Sequence, residues 1–161
     1  MGKDGDRKAQ KIALRILGQV ALSIGQQRQI EKLLSELIER PKAHSLLDEL
    51  YYFRAFLRLQ EGHLIASEAD AKRILAEYPG SSFANRAIYL LAYLAWLRDP
   101  PQYRNAAYFL NQLRGRSRDT KERSEISVLV ADCYFLNGDY ERAVEIYETT
   151  LGQAPDDEAR G

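Results

Sequence analysis

The sequence predicts an all-α fold, a right-handed α-solenoid of four helical hairpins and so eight antiparallel helices. Three observations predict it. Leu17-Gly18, Arg54-Ala55, Leu91-Ala92 and Val130-Ala131 recur so that their small second residues stand 37, 37 and 39 positions apart. Seven positions after each small residue comes a helix-breaking site: Gly25, Gly62, Asp99 and Gly138. Apolar residues fall three or four apart along almost every segment, and strand alternation is nearly absent.

The chain divides into a polar tail over 1–8, one solenoid domain over 9–155 and an acidic, frayed tail over 156–161. The hairpins span about 9–43, 44–80, 81–116 and 120–155. In the first, Ala9 to Ser23 carries Ile12, Ile16 and Val20 on a helical stripe that Gly25 breaks. Gln29 to Arg40 follows with Ile30, Leu33, Leu34, Leu37 and Ile38, and Pro41 stops it. In the second, Ser45 and Asp48 give a start like a capping box. Its first helix carries Leu50, Phe53, Ala55 and Leu57 up to Gly62, and its second runs from about Leu64 to Glu77 before Pro79-Gly80.

Ser81 or Ser82 caps the third hairpin. Its first helix, Ile88 to Trp96, is the most apolar segment of the chain, and Asp99-Pro100-Pro101 closes it. Tyr103 to Arg114 returns and ends at Gly115. The fourth hairpin pairs Glu122–Asn137 with Tyr140–Leu151, with Asp139 as the N-cap between them.

The 161 residues carry 23 basic and 23 acidic side chains. A chain with no net charge lacks the broad positive field of a nucleic-acid binder, and it has no polybasic surface for a membrane. No apolar run is long enough to insert into a bilayer, and Met1 to Gln10 has no signal-peptide core. These features point to a soluble chain, cytoplasmic or, with a leader or anchor removed, facing a bacterial periplasm. Cys133 is the one cysteine, so no intramolecular disulfide forms.

The fourth hairpin resembles a tetratricopeptide repeat. Ser127, Val130-Ala131, Tyr134, Ala143, Tyr147 and Pro155 stand at that family's intervals, with Asn137-Gly138-Asp139-Tyr140 as the turn. The earlier hairpins keep the pattern more loosely. The second has Tyr51, Ala55, Gly62 and Pro79, but Ser67 at the small alanine and Ala71 at the aromatic position. The third has Ala92, Ala106 and Leu110, with two extra residues around Pro100-Pro101. The first keeps Gly18 but has Ile30 at the second small position. Tyr78-Pro79-Gly80-Ser81-Ser82 with Ala84 and Ala87 is similar to repeats of bacterial cell-envelope assembly lipoproteins. The resemblance implies that Ala131 and Ala143 let two antiparallel helices press together, while Tyr134 and Tyr147 fill the gap to the next hairpin.

No catalytic constellation stands out, so the chain reads as a non-enzyme with no cofactor and no metal. His44 and His63 lack ligand spacing with each other or with Cys133, which reads as a buried core residue. Glu68-Asp70 and Asp156-Asp157 read as solvated surface. Arg114, Arg116, Arg118, Lys121 and Arg123 read as a solvated basic loop.

In the family the resemblance points to, the first helix of each hairpin lines the concave wall. The facing positions are three before, one after and four after the small residue. These are Arg15, Gln19 and Leu22; Tyr52, Phe56 and Leu59; Tyr89, Tyr93 and Trp96; and Val128, Asp132 and Phe135. The expected partner-binding residues are therefore Tyr52, Phe56, Tyr89, Tyr93 and Trp96, with Arg15, Gln19 and Asp132 setting polarity at the two ends. Some family members grip a peptide carboxylate with a Lys and Asn clamp; aromatic rings stand at most of those positions here. The sequence thus predicts a scaffold or adaptor that takes an apolar or amphipathic peptide segment of another protein. The alternative is self-assembly, or membership of a longer array, through a last helix that keeps Val144, Ile146, Tyr147 and Leu151 with no capping helix after it.

Overall fold

A computed structural model describes residues 24–40 and 46–152. Among the described residues are seven helices and no strand. They are α1 Ile24–Glu39, α2 Leu47–Gln60, α3 Leu64–Glu77, α4 Ala84–Trp96, α5 Tyr103–Arg116, α6 Thr120–Leu136 and α7 Tyr140–Gly152. The helix expected over 9–23, with Arg15 and Gln19, lies outside the described residues. So do Pro41, His44, Ser45, Pro155 and both tails. The chain divides into two compact units, 1–84 and 85–161.

In the first unit α2 packs against both α1 and α3. Ile30 and Leu34 of α1 meet Leu46, Leu50 and Leu57, with Leu37, Ile38, Leu47 and Phe53 packed around them. Ala55 and Ser67 are wholly buried. Ser67 stands where the repeat pattern wants alanine, and its hydroxyl donates to the Ala55 carbonyl at 2.6 Å. The serine therefore keeps the close approach of α2 and α3 while satisfying its own buried oxygen.

Two turns follow one design. At the end of α2, Gly62 takes φ +78°, its N–H donates to Leu59 O at 3.0 Å, and His63 N–H donates to Arg58 O at 2.8 Å. At the end of α6, Gly138 takes φ +83°, donating to Phe135 O at 3.0 Å, and Asp139 N–H reaches Tyr134 O at 2.9 Å. Both are Schellman caps, in which a left-handed residue satisfies the last carbonyls and glycine carries no steric cost.

The other breaking sites behave differently. Gly25 was expected between helices but lies in the first turn of α1. Gly115 was expected to end α5, which runs on to Arg116. A helical glycine costs only about 1 kcal/mol, so glycine ends a helix only where the chain needs the left-handed conformation. Asp99 precedes a cis bond to Pro100, and Gln102 N–H donates to Ala95 O across that turn at 2.9 Å.

The capping box expected at Ser45 and Asp48 is also revised. Leu46 sits at the N-cap of α2 without a side-chain bond, and the Asp48 carboxylate accepts from Ser81 Oγ at 2.6 Å. That hydroxyl in turn accepts from Phe83 N–H at 2.9 Å ahead of α4. The carboxylate joins two segments of the unit instead of closing its own helix.

In the second unit α6 packs against α5 and α7. Ala106, Val130, Ala131, Cys133 and Ala143 have no exposed surface. Asp119 caps α6 by accepting from Lys121 N–H at 2.9 Å, which starts the helix before Glu122.

Asp70 overturns its reading as solvated surface. Its side chain is 5% exposed. Arg54 grips it bidentately, Nε to Oδ2 at 2.8 Å and Nη2 to Oδ1 at 2.6 Å. Arg58 Nη1 adds 2.8 Å to Oδ2, and its Nε binds Glu31 Oε1 at 2.6 Å. Arg54 Nη1 also donates to Ser35 Oγ at 3.1 Å. One carboxylate on α3 thus fixes two guanidiniums of α2, which reach on to α1. Asp70→Asn removes their shared counter-charge in a nearly dry site and should lower stability by about 3 kcal/mol in a urea titration.

Candidate functional site

Helix α4 is apolar from Ala87 to Trp96, and its two sides are treated differently. Ile88, Leu91, Leu94 and Ala95 are buried, whereas Tyr89 and Tyr93 are 52% and 47% exposed. Tyr89, Tyr93 and Trp96 follow one another at i, i+4 and i+7, which puts them on one face of the helix. With Ala92 beneath them they border a depression of about 200 Å³, completed by Leu110 of α5 and Leu129 of α6. Trp96 is half-buried, its ring edge-on to Tyr103 at 5.2 Å. Tyr103 therefore fixes the indole in place, and the two tyrosines remain available. Every lining side chain is aliphatic or aromatic, so the depression can take an apolar anchor and offers hydroxyls at its rim.

The other expected residues have mixed placements. Phe56 of α2 is exposed. Tyr52 is half-buried, 5.3 Å from the Phe83 ring and 6.1 Å from Phe53, so it belongs to a three-ring cluster. Val128 and Phe135 of α6 are exposed, and Phe135 stacks edge-on with Tyr140 at 5.2 Å. Asp132, expected to set polarity at one end of the wall, instead accepts a hydrogen bond from the Tyr147 hydroxyl on α7. Tyr147 therefore bonds within its own hairpin. Leu110 and Leu129 were absent from the sequence-based wall. Leu129 lies two residues before Ala131, a position the three-position rule does not sample.

The basic loop contributes to a second hollow of this unit. Arg114, Arg123 and Arg142 line a polar cleft of about 660 Å³ with Ser124, Ser127 and Glu145. Arg114 donates to Ser127 Oγ at 3.3 Å, and Arg142 lies over the Tyr134 ring at 5.2 Å. Arg142 was missed in the sequence because it comes from the following helix.

Cys133 is buried, and burial with the nearby Asp132 charge pushes its thiol up to about 11, which keeps it in the unreactive form. The Tyr147 hydroxyl is pushed up to about 12, first by its bond to Asp132 and then by burial. A phenol whose folded value lies above its free value of 10 stabilises the fold fully below pH 10 and loses that contribution as pH rises towards 12. The stability advantage of wild type over Tyr147→Phe should therefore be constant up to about pH 10 and vanish near pH 12, as read by chemical denaturation at each pH.

No helix among the described residues is long and apolar enough to cross a membrane. Residues 97–161 match the family model of the tetratricopeptide repeat, a stretch that contains α5, α6 and α7. Comparison with curated proteins and with solved structures finds no match. The segment is similar to tetratricopeptide repeats, which generally mediate protein–protein interaction as non-catalytic modules.

Proposed function

We propose, starting from the match of residues 97–161 to the tetratricopeptide-repeat model, that this chain is a scaffold or adaptor holding an apolar or amphipathic peptide segment of another protein. The observation that carries this reading is the face of Tyr89, Tyr93 and Trp96 over the apolar depression on α4. Exposed rings beside a hollow are what a partner's anchor residues bury best. Tyrosine and tryptophan give large contact area while giving up little side-chain freedom. In this reading Asp132 stiffens the wall through Tyr147.

Panning a displayed random-peptide library against the purified chain tests the reading. Enriched peptides should be amphipathic, with bulky apolar anchors. Tyr93→Ala with Trp96→Ala should weaken their capture by about 30-fold or more, the scale of a hot-spot loss. Helicity by circular dichroism should stay unchanged, because neither ring is fully buried. Equal capture by wild type and the double variant rejects the aromatic face.

A second reading is favoured by α7. Val144 and Leu151 are seven residues apart, share one helix face, and are 52% and 74% exposed. That face can pair with a second copy or with a further repeat. Light scattering over a concentration series should show mass rising with concentration in wild type and a constant monomer mass in Val144→Glu with Leu151→Glu. A constant mass in wild type rejects self-association.

A further inference from the structure

We propose that Glu31, Glu61 and His63 form a binding site for one divalent metal ion of the zinc type, such as Zn²⁺, Co²⁺ or Ni²⁺. Each offers one ligand atom, and these atoms all lie within 4.8 Å of one another. Glu31 comes from α1, Glu61 from the end of α2 and His63 from the start of α3. The Schellman cap at Gly62 holds the last two together, since its hydrogen bonds fix the backbone on both sides of the glycine.

Charge balance singles out Glu61. In the neighbouring network Asp70 and Glu31 are matched by Arg54 and Arg58, two anions against two cations. Among the described residues Glu61 has no arginine or lysine partner, and its ion pair is with the His63 imidazole. Its side chain is 9% exposed, and Oε2 is buried with no hydrogen bond. An unpaired carboxylate oxygen out of water is costly unless a cation meets it. His63 Nδ1 stands 3.4 Å from that oxygen. That distance is long for a hydrogen bond to nitrogen. It matches the separation of about 3.3 Å between two ligands of a tetrahedral zinc with bonds of about 2.0 Å.

Two carboxylates and an imidazole suit a borderline cation better than calcium or magnesium, which take oxygen ligands. Arg58 occupies Glu31 Oε1 and leaves that carboxylate a second oxygen. The His63 side chain is 57% exposed, which gives the ion a way in and leaves a fourth position for water. A bound ion would clip α1 to the turn between α2 and α3. This site lies in the first unit and does not depend on the aromatic face.

Titrating the 161-residue chain with Co²⁺ reads the site directly. Wild type should bind one equivalent with a visible ligand-field band, which Zn²⁺ displaces. Zn²⁺ should also raise its Tm. His63→Ala truncates an exposed side chain and should lower Co²⁺ affinity about tenfold or more, at least what losing an outer-shell partner costs. It should also abolish the Tm rise. Glu61→Gln should do the same, whereas His44→Ala should bind as wild type does. Absence of one-to-one binding, or equal affinity in wild type and His63→Ala, overturns the proposal.

Discussion

Close approach of antiparallel helices at small residues is the constraint on which each unit depends. Ala55 with Ser67 and Ala131 with Ala143 have no exposed surface, and each pair lies on two consecutive helices that pack together. Packing at crystal-like density leaves no room there for another methylene. Once those contacts are made, the remaining side chains of each helix are assigned to a buried or an open side by the turn of the helix. The aromatic face of α4 is a consequence of this. Ala92 is buried at its base, which leaves Tyr89, Tyr93 and Trp96 around it as the walls.

Polar groups add direction to that packing in the first unit. The Arg54, Asp70, Arg58 and Glu31 network ties α1, α2 and α3 through bonds of 2.6 to 2.8 Å. Buried ion pairs contribute little net stability against apolar replacements, yet breaking one side leaves an uncompensated charge. The network therefore fixes which arrangement of the three helices is tolerated more than how stable it is. At its border Glu61 keeps a buried Oε2 with no hydrogen bond.

The aromatic site was partly legible in the sequence. Counting along α4 from Ala92 named Tyr89, Tyr93 and Trp96, because a single helix has a fixed angular step. The same counting failed to foresee that Asp132 would be engaged by Tyr147, since that partner is 15 residues away on another helix. It also missed Leu110 and Leu129, whose places at the depression depend on how α5 and α6 lie beside α4. Asp70 read as surface for the same reason. An acidic residue beside other polar residues looks solvated until two arginines from a neighbouring helix are placed over it.

The sequence by itself determined the helical class and the bounds of α3, because apolar periodicity and Pro or Gly punctuation act within a few residues. It also marked Gly62 and Gly138 as turns. Only the tertiary structure decided that Gly25 and Gly115 are ordinary helical residues. The same holds for Asp48 bonding Ser81 and not its own helix end, and for Glu31 meeting Glu61 and His63. These outcomes turn on groups far apart in the chain. Local propensities differ by about 1 kcal/mol, too little to fix them against the energy of burying a charge or a polar atom.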